Sequence, residues 1–268
     1  MPAKQRLDLE LLSRGLAASR QQAQQLIRAG KVRDGAGTVL DKPGADVRPD
    51  QDLIVEKPPR FVSRGGEKLL AGLEAFPLQV QDRVCLDGGI STGGFTDCLL
   101  QHGARRVYGV DVGYGQTAWS LRTNERVVLR ERTNLRHLQP DHLYAEGDLW
   151  PTLAVTDVSF ISLRLILPAL HRLLKNPGAE ALVLVKPQFE VGKQRVGKGG
   201  VVRDPGAHRD AIKTVIAAAA TLSWNPQGLT ASPITGPAGN HEYLLWLSDH
   251  DAAPLPDLDQ LVATTLGS

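Results

Sequence analysis

The spacing of apolar positions changes character near residue 57. Ahead of that point, Leu7 to Arg14 repeats apolar residues at helical spacing, and Gly15 suits the left-handed position that ends such a helix. Ser19 has the character of an N-cap with Gln22 as its capping-box partner, so a second helix is predicted through Leu26-Ile27-Arg28, ending at Gly30. From Lys31 to Lys57, the short runs Val32, Val39-Leu40, Val47 and Leu53-Ile54-Val55 are separated by Gly, Pro and Asp, which predicts short strands and tight turns. Lys57-Pro58-Pro59-Arg60 follows, and consecutive prolines favour a stiff, extended chain. The pattern therefore predicts a small α+β domain over 1–57 and a linker over 58–62.

Beyond the linker, strand-like and helical runs alternate. Val84 to Leu86, Arg106 to Val110, Val127 to Leu129, Leu153 to Val155 and Ala181 to Val185 read as strands. Helices are predicted near Phe95 to Gln101, over Leu163 to Leu174, and from an Asp204 cap with Pro205 at the first position to about Leu222. Late strands near Leu229 to Ile234 and Tyr243 to Leu247 complete the sheet. Such alternation predicts an α/β sandwich with a mostly parallel sheet over 63–250. Residues 251–268 are left as a C-terminal tail.

Composition narrows the class. Hydrophobic residues are 42% and charged residues 22% of the 268, as in soluble globular proteins. No apolar run approaches the roughly 18 residues that span a bilayer, and Met1 to Arg20 has no apolar core of a secretory signal. Cys85 and Cys98 both fall in apolar stretches, which suits core residues and gives neither a disulfide framework nor a metal site. The cytoplasm is the expected compartment, with no membrane and no protein partner implied. A net charge of +2 is too small to argue for nucleic acid, so the distribution of charge has to. Arg14, Arg20, Arg28, Lys31 and Arg33 cluster on the first helix pair and its exit, which suits phosphate contacts.

Asp87-Gly88-Gly89-Ile90-Ser91-Thr92-Gly93-Gly94-Phe95 follows a buried-looking strand and leads into a helix. In open parallel sheets, ligands bind at such turns, where glycines let the backbone approach and a helix N-terminus faces the ligand. The spacing Asp-x-Gly-x-x-x-Gly differs from the dinucleotide fingerprint and is the version common in enzymes that use S-adenosyl-L-methionine. Asp111 ends the next strand, where an acid can accept the ribose hydroxyls of an adenosine. Lys68, Asp157, Lys186 and Glu242 sit at predicted strand ends or in Gly- and Pro-punctuated loops. Two lysines and two carboxylates around a cofactor turn suit the activation of a weakly acidic hydroxyl. Gly192 to Gly200 follows Lys186, and its glycines with Lys193, Arg195 and Lys198 predict a mobile loop that closes over phosphates.

The motifs Ser63-Arg64-Gly65-Gly66-Glu67-Lys68, Asp87 to Thr96, Asp111-Val112-Gly113-Tyr114-Gly115-Gln116, Asp157-Val158-Ser159-Phe160-Ile161-Ser162, Val185 to Gly192 and Gly239-Asn240-His241-Glu242-Tyr243 resemble those of the TlyA family over nearly the whole chain. The resemblance implies a Rossmann-like methyltransferase domain similar to FtsJ, an N-terminal RNA-binding module like that of ribosomal protein S-four, and 2′-O-methylation of cytidine in ribosomal RNA of one or both subunits. It implies S-adenosyl-L-methionine as methyl donor, held by the turn from Asp87 to Phe95, by Asp111 and by Asp157. It places Lys186 as proton acceptor with Asp157 beside it, and Lys68 and Glu242 as the rest of a Lys-Asp-Lys-Glu tetrad. A lysine beside another cation and away from water gives up its proton more readily, whereas the two acids oppose that. Two positions depart from the usual family pattern. The turn reads Gly88-Gly89-Ile90 where Ala or Ile, Gly and Ala are common, and Thr156 stands where Ala usually precedes the aspartate. Three other readings compete. An amine-methylating enzyme is expected to carry two prolines after its Asp or Asn, absent from Asp157-Val158-Ser159-Phe160. A non-catalytic ribosome-assembly factor does not need the intact tetrad. A haemolysin, as the family is often labelled, is expected to carry a long amphipathic or spanning segment.

Overall fold

The computed structural model describes residues 4–56, 59–175 and 177–267. The chain divides into two compact units, Met1–Pro59 and Arg60–Ser268. Pro58 of the expected linker, and Lys57 before it, lie outside the described residues.

In the first unit, helices Leu7–Ser13 and Arg20–Arg28 bury Leu7, Leu11, Ala23 and Ile27 together with Val32 and Val47. Gly15 and Gly30 take φ of 69° and 68° just past the helix ends, a conformation that costs glycine nothing. Ser19 Oγ accepts from the Gln22 N–H at 3.1 Å, and Gln22 Oε1 accepts from the Ala18 N–H, one residue earlier than in a standard capping box. Gln5–Arg6 pairs with Asp46–Val47, and Val32–Asp34 with Leu53–Val55, both antiparallel. Val39-Leu40, expected as a strand, contributes an isolated bridge from Val39 to Arg33. Asp8 is fully buried and collects Arg6 Nε at 3.1 Å, Arg20 Nε at 3.0 Å and Gln24 Nε2 at 2.8 Å. The Arg6 guanidinium holds this carboxyl well below the usual carboxylate range.

In the second unit, seven strands among the described residues form one sheet: β1 (Val84–Gly88), β2 (Arg106–Val110), β3 (Val127–Arg130), β4 (Leu153–Thr156), β5 (Glu180–Val185), β6 (Asn225–Ala231) and β7 (Tyr243–Ser248). Their order is β6-β7-β5-β4-β1-β2-β3. β1 to β5 run parallel, and β7 is antiparallel to both its neighbours. A parallel sheet covered on both faces needs apolar strands, and every residue of β5 after Glu180 is buried. Successive residues of one strand feed opposite layers: Cys85 packs with Leu69, Leu99 and Leu182, and Leu86 with Tyr108, Leu167 and Val215. The layers are built by α1 (Gly65–Ala75), α2 (Gly94–Gln101), α3 (Leu163–Leu173), α4 (Pro205–Ala220) and α5 (Leu258–Leu266). Asp204 caps α4 by accepting from the Gly206 and Ala207 N–H groups.

Three expectations change. Lys68, expected at a strand end or in a loop, stands in the first turn of α1, because Glu67 to Ala75, Gly72 apart, is made of strong helix formers. β6 runs from Asn225 to Ala231 rather than toward Ile234, since Pro233 cannot donate to a ladder and Pro226 is tolerated on this edge strand. Residues 251–268 are more than a tail: α5 buries Val262 in the core, with Leu258, Leu261 and Leu266 packed around it at helical spacing.

The sequence runs outward from β1 to β2 and β3, then returns to place β4 on the other side of β1. The strand order therefore reverses between β1 and β4, and a crevice opens beyond their carboxyl ends.

Candidate active site

That crevice is a cavity of about 610 Å³. Its walls come from the turn after β1, the ends of β2 and β4, the start of α1, and the segment Ile234 to Pro237 before β7. The turn approaches its neighbours too closely for side chains. Gly93 has φ 98°, and a Cβ there would lie 2.2 Å from Leu121 Cδ1. A Cβ on Gly94 would lie 2.7 Å from the Gly66 nitrogen, so the starts of α1 and α2 meet backbone to backbone. Asp111 fixes the turn from the end of β2: its Oδ2 accepts from the Ser91 N–H and its Oδ1 from the Gly113 N–H, both at 2.7 Å.

Four charged residues from distant parts of the chain meet on one side of the cavity. Lys68 Nζ lies 2.6 Å from Glu242 Oε2 and 3.6 Å from Asp157 Oδ2. Lys186 Nζ lies 2.6 Å from Asp157 Oδ1 and donates to Ser159 Oγ at 2.8 Å. Asp157 thus bridges the two ammonium groups, one through each oxygen. Both lysines and Glu242 are buried, with Glu242 only 1% exposed. Lys68, Asp157 and Lys186 line the cavity, so the charges are withdrawn from bulk water but open to a ligand. In such surroundings charge–charge terms are several times stronger than at a solvated surface.

Asp87 is a second kind of carboxyl. It is 1% exposed, and burial pushes it up to about 7. Thr96 Oγ1 donates to its Oδ2 at 2.7 Å, while its Oδ1 is buried with no hydrogen-bond partner among the described residues. A buried oxygen without a donor, at the head of a glycine turn, suits a cationic or N–H-bearing ligand group.

The departures from the usual motif compensate one another. Ile90 is buried where the usual alanine is smaller, and its Cδ1 fills the place that a Cβ on Gly109 would occupy, 2.4 Å away. Thr156 donates its buried hydroxyl to the Gly88 carbonyl at 2.6 Å, tying β4 to β1 where the order reverses. A Cβ on Gly88 would lie 2.7 Å from Leu135 Cδ2 and 3.4 Å from Thr156 Oγ1, so a glycine there goes with a threonine opposite.

The basic residues expected to meet phosphates divide into two groups. Arg14 is used internally: it donates to Glu10 at 2.6 Å and to the carbonyls of Arg48, Pro49 and Gln51. Arg20 pairs with Asp8 and Lys31 with Glu56. Arg33 donates to the Gly37 carbonyl at 3.2 Å, and Arg28 is exposed without an ion-pair partner among the described residues. In the segment after Lys186, Arg195 is clamped by Asp204 at 2.8 Å and Asp210 at 2.6 Å, while Lys193 and Lys198 are exposed. This segment is not the free flap that its glycines predict. It forms two 3₁₀ turns, Lys193–Arg195 and Lys198–Gly200, and its end is pinned. Val202 donates to Asn240 Oδ1 at 3.0 Å, its carbonyl meets His208 Nε2 at 3.0 Å, and Asn240 Nδ2 holds the Gly200 carbonyl.

Glu190, Ser159 and Asn240 are given no role by the reading of the sequence, and for Phe160 and Phe189 it leaves stacking on a nucleoside and core packing equally open. Glu190 Oε2 accepts from the Ser162 hydroxyl at 2.6 Å and Oε1 from the Leu163 N–H at 2.8 Å, which ties the loop after β5 to the loop after β4. Phe160, at φ 64°, is 91% exposed beside Phe189, with ring centroids 5.3 Å apart. All three had a signal, since Ser159 lies within the Asp157 motif, Glu190 within the one after β5 and Asn240 within the one around Glu242, but the motifs alone do not say what each side chain holds. Cys85 and Cys98 are both buried and free, as expected of core residues.

Residues 61–249 match the family model of the FtsJ-like methyltransferase, and residues 5–53 match the S4 domain. The 16S/23S rRNA (cytidine-2′-O)-methyltransferase TlyA of Mycobacterium tuberculosis is 50% identical over 92% of this chain and 91% of its own. Hemolysin A of Brachyspira hyodysenteriae is 39% identical over 89% of this chain and 98% of its own. A solved structure from Streptococcus thermophilus, described as a candidate hemolysin, superposes with TM-score 0.72 at 41% identity, covering 98% of this chain and 95% of that one. Among the described residues, no helix is long and apolar enough to cross a membrane.

Proposed function

The chain belongs to the FtsJ-like methyltransferase family and begins with an S4 domain, and on that premise we propose that it transfers a methyl group from S-adenosyl-L-methionine to the ribose 2′-oxygen of a cytidine in ribosomal RNA. The observation that carries this reading is the bridge of Asp157 between Lys68 and Lys186 on the cavity wall.

The cavity fits the cofactor by chemistry. The glycine turn leaves room for backbone approach and Asp111, on the cavity wall, stands where an adenosine ribose is expected, while Asp87, with its unpartnered Oδ1, is buried just before the turn and does not line the wall. Bound there, the cofactor supplies a methyl group on a sulfonium. A ribose 2′-hydroxyl is a weak acid, so the protein must align its oxygen and take its proton. Lys186 takes that proton at Nζ. Asp157 aims the amine and stabilises the ammonium that results. Lys68, itself paired with Glu242, shares Asp157 and so fixes that carboxylate from its other oxygen. A positioned base typically contributes about 10²- to 10⁴-fold. Phe160, exposed at the cavity mouth and backed by Phe189, offers a ring for the cytosine to stack on.

The S4 domain and the FtsJ-like domain divide the work: residues 1–57 dock the RNA, residues 63–250 perform the chemistry, and the site of action is the cytoplasm, where ribosomes are. Arg28 and Arg33 in the first unit, and Lys193 and Lys198 in the second, are the positions best free to meet phosphates.

The test is methyl transfer from labelled S-adenosyl-L-methionine to purified small subunits, large subunits and free ribosomal RNA. Label on a ribose in any of them, lost in Lys186→Ala while the cofactor still binds, supports the reading and identifies the substrate. No transfer to any of them, with the cofactor bound, favours a non-catalytic assembly role and overturns it.

A further inference from the structure

Ser159 lies two residues beyond Asp157 in the loop after β4, and both side chains meet the same amine. Lys186 Nζ is 2.6 Å from Asp157 Oδ1 and 2.8 Å from Ser159 Oγ. Ser159 is exposed and lines the cavity, whereas Lys186 is buried behind it. The loop is held from outside this contact, because Glu190 anchors Ser162 and Leu163. The position of Ser159 relative to Lys186 is therefore fixed by the framework and not by the contact alone.

An amine that accepts a proton has two N–H bonds and one lone pair, in place of the three N–H donors of an ammonium. The amine gives one N–H to Ser159 and lies against Asp157 Oδ1 as an ion pair that is not in hydrogen-bond geometry, so the bond to Ser159 is the directional contact that confines the lone pair. With Asp157 alone, the amine rotates about the Cε–Nζ bond and the lone pair sweeps a cone. We propose that Ser159 is the positioning residue that fixes the rotation of the Lys186 amine, so that its lone pair faces the ribose hydroxyl. The inference rests on the reading of Lys186 as proton acceptor. In that step the hydroxyl proton passes to Nζ and the electron pair of the broken O–H bond stays on oxygen.

The choice of a hydroxyl follows from charge. A second carboxylate at this place would align the amine equally well but would hold its proton more tightly. A serine accepts the hydrogen bond without adding negative charge. It also has its own proton to donate elsewhere, which an amide oxygen lacks.

The experiment compares the full chain with Ser159→Ala, Ser159→Thr and Ser159→Asp, measuring methyl transfer at saturating substrate over a range of pH and S-adenosyl-L-methionine affinity by calorimetry. Ser159→Ala is expected to lower kcat by about 10- to 100-fold, with KM and cofactor affinity within about twofold of the parent. Ser159→Thr keeps the hydroxyl and restores most of the rate. Ser159→Asp moves the rising limb of the pH–rate profile to higher pH, which a merely structural role would not do. A Ser159→Ala enzyme within about twofold of the parent at every pH overturns the proposal. So does a loss matched by weaker cofactor binding, or a Ser159→Asp profile that rises where the parent's does. A parent enzyme that binds cofactor but transfers no methyl group overturns the underlying reading of Lys186, and the proposal falls with it.

Discussion

Asp8 and Asp157 are both carboxylates set between two cationic side chains, yet one is closed and the other open. Asp8 is fully buried, and its oxygens are taken by Arg6, Arg20 and Gln24, side chains that belong to the first unit and reach out to solvent. Asp157 bridges Lys68 and Lys186, which are themselves buried and face a cavity. The choice of cation follows the task. A guanidinium stays charged at every accessible pH and binds a carboxylate in a fixed fork, so it locks a fold. An ammonium has a proton that can be exchanged once it is withdrawn from water, so it can take part in chemistry. On the proposed reading, the same attraction serves stability in one unit and reactivity in the other, and the difference lies in which end of the pair meets solvent.

Replacing each carboxylate should separate the two roles. Asp157→Asn keeps the shape of the bridge but removes the charge that both lysines share. Methyl transfer in single-turnover assays is expected to fall by about 10²- to 10³-fold, with Tm little changed. A loss below about threefold would break the comparison, since Asp157 would then be as structural as Asp8. Asp8→Ala is expected to do the reverse. Removing one partner of a buried pair strands the other, and here the half-exposed arginines soften the penalty to roughly 2 kcal/mol in urea unfolding of the first unit. The sign with pH is fixed by the depressed carboxyl: its contribution is full above the unfolded value near 4, and is lost as pH falls toward the lower folded value. The acid limb of unfolding should therefore flatten in the variant.

Asp87 sharpens the contrast from the other direction, because burial pushes it up to about 7 instead of down. Its folded value exceeds the unfolded one near 3.9, so the native state binds the extra proton. Stability of the ligand-free protein is expected to fall as pH rises from about 4 to 7, with the cost complete above that range. Asp87→Asn keeps an acceptor for Thr96 and should remove this slope in a Tm-versus-pH series. The ionised form suits a cationic ligand, so cofactor affinity should rise by a few-fold from pH 6 to pH 8 in the parent and stay flat in the variant. A parent affinity that does not respond to pH would show that Asp87 does not meet the positive end of the ligand.

The sheet was legible because a strand buried on both faces must be apolar throughout. Val84 to Leu86 and Ala181 to Val185 have few other options. The site residues were legible where glycine or proline punctuates a strand end, as at Asp87, Asp157 and Lys186. Lys68 was placed in the site but on the wrong element, since Gly65-Gly66 reads as a loop until the start of α2 is seen to demand that closeness. The compensation between Ile90 and Gly109 joins the turn after β1 to the neighbouring strand β2, and neither position signals it alone. The basic residues were the least legible. Whether an arginine is free depends on which acids the fold brings to it, and Glu10, Asp204 and Asp210 reach Arg14 and Arg195 only after folding.

The segment after Lys186 repeats the comparison on a small scale and offers its finest test. Arg195 is clamped between Asp204 and Asp210, while Lys193 and Lys198 on either side of it stand in solvent. If the closed group holds the segment and the open groups meet RNA, the substitutions must differ in kind. Lys193→Ala and Lys198→Ala should each weaken binding to ribosomal RNA by a few-fold and reduce the slope of log affinity against log salt by about 0.7 to 0.9, the loss of one phosphate contact. Arg195→Ala should leave that slope unchanged, because its charge is already spent on two carboxylates. Its effect should appear as faster hydrogen exchange at Val196 and Gly197, whose N–H groups bond within the segment. An Arg195→Ala slope reduced as much as that of the lysine variants would mean that the clamp opens on binding, and the segment would then be the closing flap that its glycines first suggest.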